Sequence, residues 1–179
     1  MLQILLEVTY FIGMFYISVV LMRFILQVSR ADFYNPISQF VVKATNPLLL
    51  PLRKVIPGWR GLDFASLALA LLLSILLIIL VSLTPMSHIL PLLGLIVTKA
   101  VLLMIKCVIN IYQFAIFIMV IISWVAPGSY HPGAQLVHQI TEPLMRPVRK
   151  IMPPIGGLDL SPMVVLLLLF VIGRALSIA

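Results

Sequence analysis

Phe64 to Thr84 is an unbroken run of 21 residues without a single charge. A helix needs about 20 apolar residues to cross a hydrocarbon core about 30 Å thick, so such a run constrains the fold more than any other feature. Three similar runs accompany it. Cys107 to Ala126 is uncharged, Leu160 to Ile178 is broken only by Arg174, and Leu2 to Val28 carries Glu7 near one end and Arg23 near the other. All four are continuously apolar rather than alternating, which favours helices over barrel strands. Composition agrees: 63% of residues are hydrophobic, 9% are charged, and the mean hydropathy is +1.22. A water-facing surface needs roughly a quarter of its residues charged. The expected fold is an all-α membrane protein with four transmembrane helices, over about 2–28, 64–84, 107–126 and 160–178. The start Met1-Leu2-Gln3-Ile4 lacks a basic n-region and no small-x-small site follows, so helix 1 reads as an anchor rather than a cleaved signal.

The chain also repeats itself. Asn35-Pro36 recurs as His131-Pro132, Thr45-Asn46-Pro47-Leu48 as Thr141-Glu142-Pro143-Leu144, and Arg53-Lys54 as Arg149-Lys150. Gly61-Leu62-Asp63 recurs as Gly157-Leu158-Asp159, and every one of these pairs is 96 positions apart. A constant offset over so many identities marks a duplicated unit. The preceding helices align at an offset of 100, which puts Arg23 opposite Ser123. The division is a first repeat at 1–84, a linker or interfacial segment at 85–106 and a second repeat at 107–179. Each repeat holds an even number of spans, so both enter the membrane from one side and are parallel, not inverted.

Charge bias orients them. Arg30, Lys43, Arg53, Lys54 and Arg60 lie in the first intra-repeat loop, and Arg146, Arg149 and Lys150 in the second, whereas Pro85 to Thr98 has no basic residue except His88. The positive-inside rule then places both loops in the cytoplasm and both termini in the periplasm of a bacterial inner membrane. The same rule accounts for the formal net charge of +7, so no nucleic-acid partner is expected.

Each loop begins with a short amphipathic helix. Asn35 suits an N-cap and Pro36 the first helical position, with Ile37, Phe40, Val41 and Ala44 following at helical spacing. Leu136, Val137 and Ile140 keep that stripe in the second repeat, where Gly133 replaces Ile37. Pro47 is expected to stop the helix, since the residue before proline avoids the helical region. The stripe either packs on the spanning helices or lies in the inner-leaflet interface. Pro51 and Pro57 then bracket Arg53-Lys54, as Pro147 and Pro153 bracket Arg149-Lys150. These four cations are candidates for binding anionic lipid, at about 1 kcal/mol each; orientation alone is the competing account. Asp63 and Asp159 stand before helices 2 and 4, where a carboxylate caps free N–H groups, and Gly61 and Gly157 allow the tight turn before them. A salt bridge from Asp63 to Arg53 or Lys54 is within reach.

Pro-Leu-Arg-Lys-Val-Ile-Pro at 51–57, its counterpart at 147–153 and the two Gly-Leu-Asp segments, each before an apolar helix, resemble the YggT family, also called YlmG, in its duplicated proteobacterial form. The fuller Gly-Leu-Asp-x-Ser-Pro pattern stands at 157–162, while the first repeat has Ala65-Ser66 in place of Ser-Pro. The resemblance implies links to cell division and nucleoid distribution, to osmotic tolerance and, in plastids, to cytochrome-complex maturation. It implies no enzymatic activity and no residue-level mechanism.

Glu7, Lys106 and Arg174 fall toward the outer ends of their helices, where a pair from Glu7 to Lys106 or Arg174, snorkelling, or an ion-transfer role would each account for them. Lys99, Lys106, Asn110 and Gln113 share one helical face. Pro91 to Ala126 is too long for one upright span, so an interfacial piece before Lys106 is expected. Cys107 is the sole cysteine, and His88, His131 and His138 lack converging ligands, so neither a disulfide nor a metal site is expected. These histidines read as loop residues near the interface. No catalytic motif and no cofactor-binding motif stands out. The functional expectation is a non-enzymatic scaffold or assembly factor that binds membrane-protein partners, anionic lipid or both. The alternative is an oligomeric channel or transporter subunit, with Lys106, Asn110 and Gln113 lining its path.

Overall fold

The apolar runs are helices in the computed structural model, which describes residues 1–58, 62–125, 128, 130–152 and 159–178. In chain order they are α1 (Leu2–Val28), α2 (Pro36–Val55), α3 (Phe64–Val81), α4 (Met86–Ile89), α5 (Leu93–Val125), α6 (Pro132–Ile151) and α7 (Ser161–Ile178). Helices α1, α3 and α5 are each long and apolar enough to cross a membrane, and Ser161–Leu176 of α7 is a shorter apolar helix. Large side chains such as Phe11, Phe15, Leu72 and Leu76 are exposed along α1 and α3. Outward apolar surface on long helices points to a membrane protein, because water would not tolerate it.

Two expectations about helix ends are corrected. Pro47 does not stop α2, which runs 20 residues with Pro47 and Pro51 inside it, and α6 likewise contains Pro143 and Pro147. An interior proline loses one hydrogen bond and crowds the carbonyl four residues back, at a cost of about 3 kcal/mol. The damage is limited because all four prolines fall on exposed sides of their helices. The buried stripe of α2, Val41, Thr45 and Leu49, is untouched. Donors from α1 also serve the turn before Pro47: the Tyr16 hydroxyl donates to the Ala44 carbonyl at 3.2 Å and Arg23 to the Val42 carbonyl at 3.2 Å. Arg53-Lys54 and Arg149-Lys150 therefore belong to last helical turns, where cations complement the helix dipole, and not to separate proline-bracketed turns.

The second correction concerns the segment before Lys106. Helix α5 continues for 33 residues, about 50 Å, through Lys99 and Lys106 without a break. Pro85 and Pro91 both precede it, and Gly94 in its first turn is its sole glycine, so nothing in its body interrupts the hydrogen-bond ladder. The segment 85–106 is α4 followed by the opening turns of α5.

The chain forms two compact units. The first comprises Met1–Phe24 and Val41–Val108, and its core holds Ile17, Val20, Leu21, Leu49, Ala65, Leu69 and Leu77. Here α1 approaches α3 closely: a Cβ placed on Gly13 would lie 2.6 Å from Cδ1 of Leu77. Ser18 on α1 and Cys107 on α5 are 3.0 Å apart, oxygen to sulfur. The second unit comprises Ile25–Phe40 and Ile109–Ala179 and is centred on Ile116, Met145 and Val165. In it the starts of α2 and α6 meet. Asn35 Nδ2 donates to the Pro132 carbonyl at 2.7 Å, and Gln139 Oε1 accepts from the Asp32 amide at 2.9 Å.

Candidate functional site

Each repeat places an aspartate in front of an apolar helix and an arginine on the last turn of the helix before it, ten residues apart in sequence in both cases. The two aspartates do the same local work. Asp63 caps α3, with Oδ1 accepting from the Ser66 amide at 3.3 Å. Asp159 Oδ1 accepts from the Ser161 amide at 2.9 Å. Free N–H groups at a helix start reward a carboxylate in this position.

Beyond the cap the two clusters differ. In the first unit Asp63 Oδ2 accepts a hydrogen bond from Arg53 Nη2 and lies 3.8 Å from Arg23 Nε. Arg23 comes from α1, and its Nη1 also donates to Thr45 Oγ1 at 2.7 Å and Asn46 Oδ1 at 2.8 Å. Arg23 is 5% exposed and Asp63 2% exposed. A buried charge persists only when paired and hydrogen-bonded, and both groups meet that condition. In the second unit Ser123 stands in Arg23's place, and its hydroxyl merely donates to the Val120 carbonyl at 2.7 Å. Glu142 stands in place of Asn46. Arg149 then bridges two carboxylates, Glu142 Oε2 at 2.8 Å and Asp159 Oδ2 at 2.9 Å. These side chains are about a third exposed. The first cluster holds two cations and one anion, the second one cation and two anions.

The second cluster's electrostatics follow from this. Burial by itself works against a charged Arg149, but hydrogen bonds and charge from Asp159 and Glu142 outweigh it and raise its pKa. Burial likewise pushes the Asp159 carboxyl up, and hydrogen bonding from Ser161 with the Arg149 guanidinium outweighs that, so its pKa is below the ordinary value of 3.8.

Of the four candidate lipid-binding cations, Arg53 and Arg149 are engaged by carboxylates, while Lys54 and Lys150 are exposed beside them. Next to each lysine is an exposed apolar tip, Val55 at 81% and Ile151 at 86%. Glu7 accepts from Gln3 Nε2 at 3.3 Å and makes no ion pair with Lys106 in their shared unit. Arg174 is exposed near the end of α7, in the other unit. His88 and His138 lie within α4 and α6 and so are helix residues and not loop residues, while His131 stands just before α6 and caps it, with Nδ1 accepting from the Gly133 amide at 3.1 Å. Among the described residues no group of three metal-ligating side chains converges. Gly61, Gly157, Arg60 and Pro153 lie outside the described residues.

Sequence reasoning saw Arg23 only as a charge in an apolar run and did not single out Glu142 or Thr45. The signal was present: a lone arginine in a span demands a partner, and the repeat that has Ser123 in place of Arg23 also has Glu142 in place of Asn46.

The sequence pattern of the CCB3/YggT family matches residues 2–84 and, a second time, residues 98–179. The chain belongs to the CCB3/YggT family. The two matched segments make it a duplicated member, one copy to each repeat. Among curated relatives, an uncharacterized protein of Pseudomonas aeruginosa is 50% identical over 151 residues, 84% of this chain and 77% of the relative. YggT of Escherichia coli K12, also described as uncharacterized, is 38% identical over 162 residues, covering 90% of this chain and 83% of that one. A Vibrio alginolyticus protein is 40% identical over 149 residues, 83% of this chain and 80% of its own length. No solved structure gives a significant match to this CCB3/YggT protein.

Proposed function

We propose that this CCB3/YggT protein is a non-enzymatic scaffold of the bacterial inner membrane that holds anionic lipid at its two basic loops and presents its helices to other membrane proteins. In this reading α7 is the fourth span, an even count that sets both loops on the cytoplasmic face. The observation that carries it is the duplicated tip of α2 and α6: an exposed lysine followed by an exposed aliphatic side chain, Lys54-Val55 and Lys150-Ile151. An interfacial helix needs that pairing, with the cation at the headgroups and the apolar tip among the upper acyl carbons. Arg53 and Arg149 brace these tips against the capping aspartates, so each lysine is presented at a defined place. The carboxylates of both clusters are taken up by arginines and cap amides, which argues for structure rather than acid–base catalysis. A channel reading would want Asn110 and Gln113 inside an enclosed path; they line an open groove shared with Phe114 and Phe117.

Native mass spectrometry of protein extracted with its own lipid tests the lipid role. Lys54→Gln with Lys150→Gln is expected to lose most bound anionic lipid while the protein stays folded. Full retention by a correctly inserted double variant would remove the role.

A further inference from the structure

Asn110 and Gln113 stand on one face of α5. Both residues line an open groove in the second unit with Phe114, Phe117, Leu167 and Phe170. Asn110 is exposed and Gln113 half-buried, and neither side-chain carboxamide makes a hydrogen bond among the described residues. Their depth follows from the antiparallel register of α5 and α7. A Cβ placed on Gly173 would lie 3.6 Å from Cγ2 of Ile109, and Val165 packs in one cluster with Ile116. These pairs put Gln113 level with Leu168 and Leu169, seven to eight residues into α7 and nine to ten before Ile178. At 1.5 Å per residue that is about 12 Å from either end of the helix, which is the middle of a bilayer core about 30 Å thick. No water satisfies a carboxamide there, and apolar lipid offers it neither donor nor acceptor.

We propose that this face docks a second copy of the same chain, with Gln113 meeting its own counterpart across a two-fold axis along the membrane normal. Two copies inserted in one direction place identical residues at identical depth. A carboxamide carries both a donor and an acceptor, so it is its own complement, as an isologous interface requires. A charged or purely aliphatic partner would leave half of that capacity unmet. A foreign chain would need an amide at the same depth, whereas a second copy supplies one by construction. Polar side chains of this kind join helices across lipid. The inference rests on α7 as a span and is independent of the lipid role of Lys54 and Lys150.

The test uses the full chain in liposomes, labelled with donor and acceptor dyes and diluted with lipid. Wild-type protein is expected to show energy transfer that falls on dilution. Asn110→Leu with Gln113→Leu is expected to shift the midpoint by about tenfold, whereas Gln113→Asn keeps most of the association. Oxidation of a Phe117→Cys variant in native membranes is expected to give a homodimer, and Leu76→Cys on α3 none. Absence of transfer at every density, transfer indifferent to the double leucine change, or a Phe117→Cys adduct with a different protein would each overturn the proposal. A nitroxide at Leu169 checks the depth separately: accessibility to a water-soluble nickel complex would overturn it by removing the span itself.

Discussion

Arg23 and Arg149 perform related tasks in different surroundings, and the difference predicts unequal consequences of losing them. Arg23 is buried and serves Asp63, Thr45, Asn46 and a backbone carbonyl at once. Removing one partner of a buried pair leaves the others desolvated and unsatisfied, so Arg23→Gln is expected to cost about 3 kcal/mol in reversible unfolding from micelles. Arg149 is a third exposed. Arg149→Gln is expected to cost about 1 kcal/mol or less, because solvent screens and replaces what is lost. Equal costs in the same assay would show that burial does not distinguish the two clusters. The pH response belongs to this scale too. Asp159 has a folded pKa below its ordinary 3.8, so the folded state binds its proton less readily than the unfolded state does. Its contribution is complete above that ordinary value and disappears as pH falls through the folded value. Acid titration of stability is therefore expected to show a decrement below about pH 4 that Asp159→Asn abolishes.

Helix ends show how local chemistry and packing share control. Helix α3 ends where Leu83 takes a positive φ of 50°, with the Leu83 amide donating to Leu80 and the Thr84 amide to Ile79. Arg30 plays the same part after α1, with φ 53°, its amide donating to Gln27 and the Ala31 amide to Leu26. This left-handed closure favours glycine, and a branched residue there stores about 1 kcal/mol of strain. Leu83→Gly is expected to raise stability by about that amount, and a loss of stability would mean that the exposed leucine side chain matters more than the backbone. The interior prolines carry the opposite lesson. Pro47 and Pro143 are helix stops by local rules, but each lies on the exposed face of a helix whose other face is held by packing. The apolar stretch and the polar face of α5 were legible in the sequence; its continuity over 33 residues through Lys99 and Lys106 was not, because the length that one upright span needs says nothing against a longer helical backbone.

At the scale of the whole molecule the proposed orientation can be checked directly. Tyr34, between α1 and α2, is 87% exposed, and Leu90, in the link between the repeats, is 80% exposed. Cys107 is buried, so single cysteines elsewhere report cleanly on their own site. In intact cells an impermeant thiol reagent applied from outside is expected to label Leu90→Cys and spare Tyr34→Cys, with Tyr34→Cys labelled once the membrane is opened. The reverse pattern would invert the topology and move Lys54 and Lys150 to the periplasm.

Hydropathy, spacing and self-similarity are local properties of a chain, so the sequence by itself determined that this protein is helical and apolar and that it is duplicated. For the same reason it could mark Asp63 and Asp159 as capping residues, since a cap acts within one turn of its own helix. Partner choice is not local. Arg23 selects Asp63 from 40 residues away only because packing brings the two together and excludes water from them, whereas Arg149 and Glu142 stand two turns apart on α6 and Arg53 was already within reach of its cap. The level of Gln113 against α7 is likewise invisible along the chain, since it depends on the register seen where Gly173 meets Ile109. Tertiary structure decided these points because the energy of a charge or an amide is set by its surroundings, and its surroundings are made by distant parts of the chain.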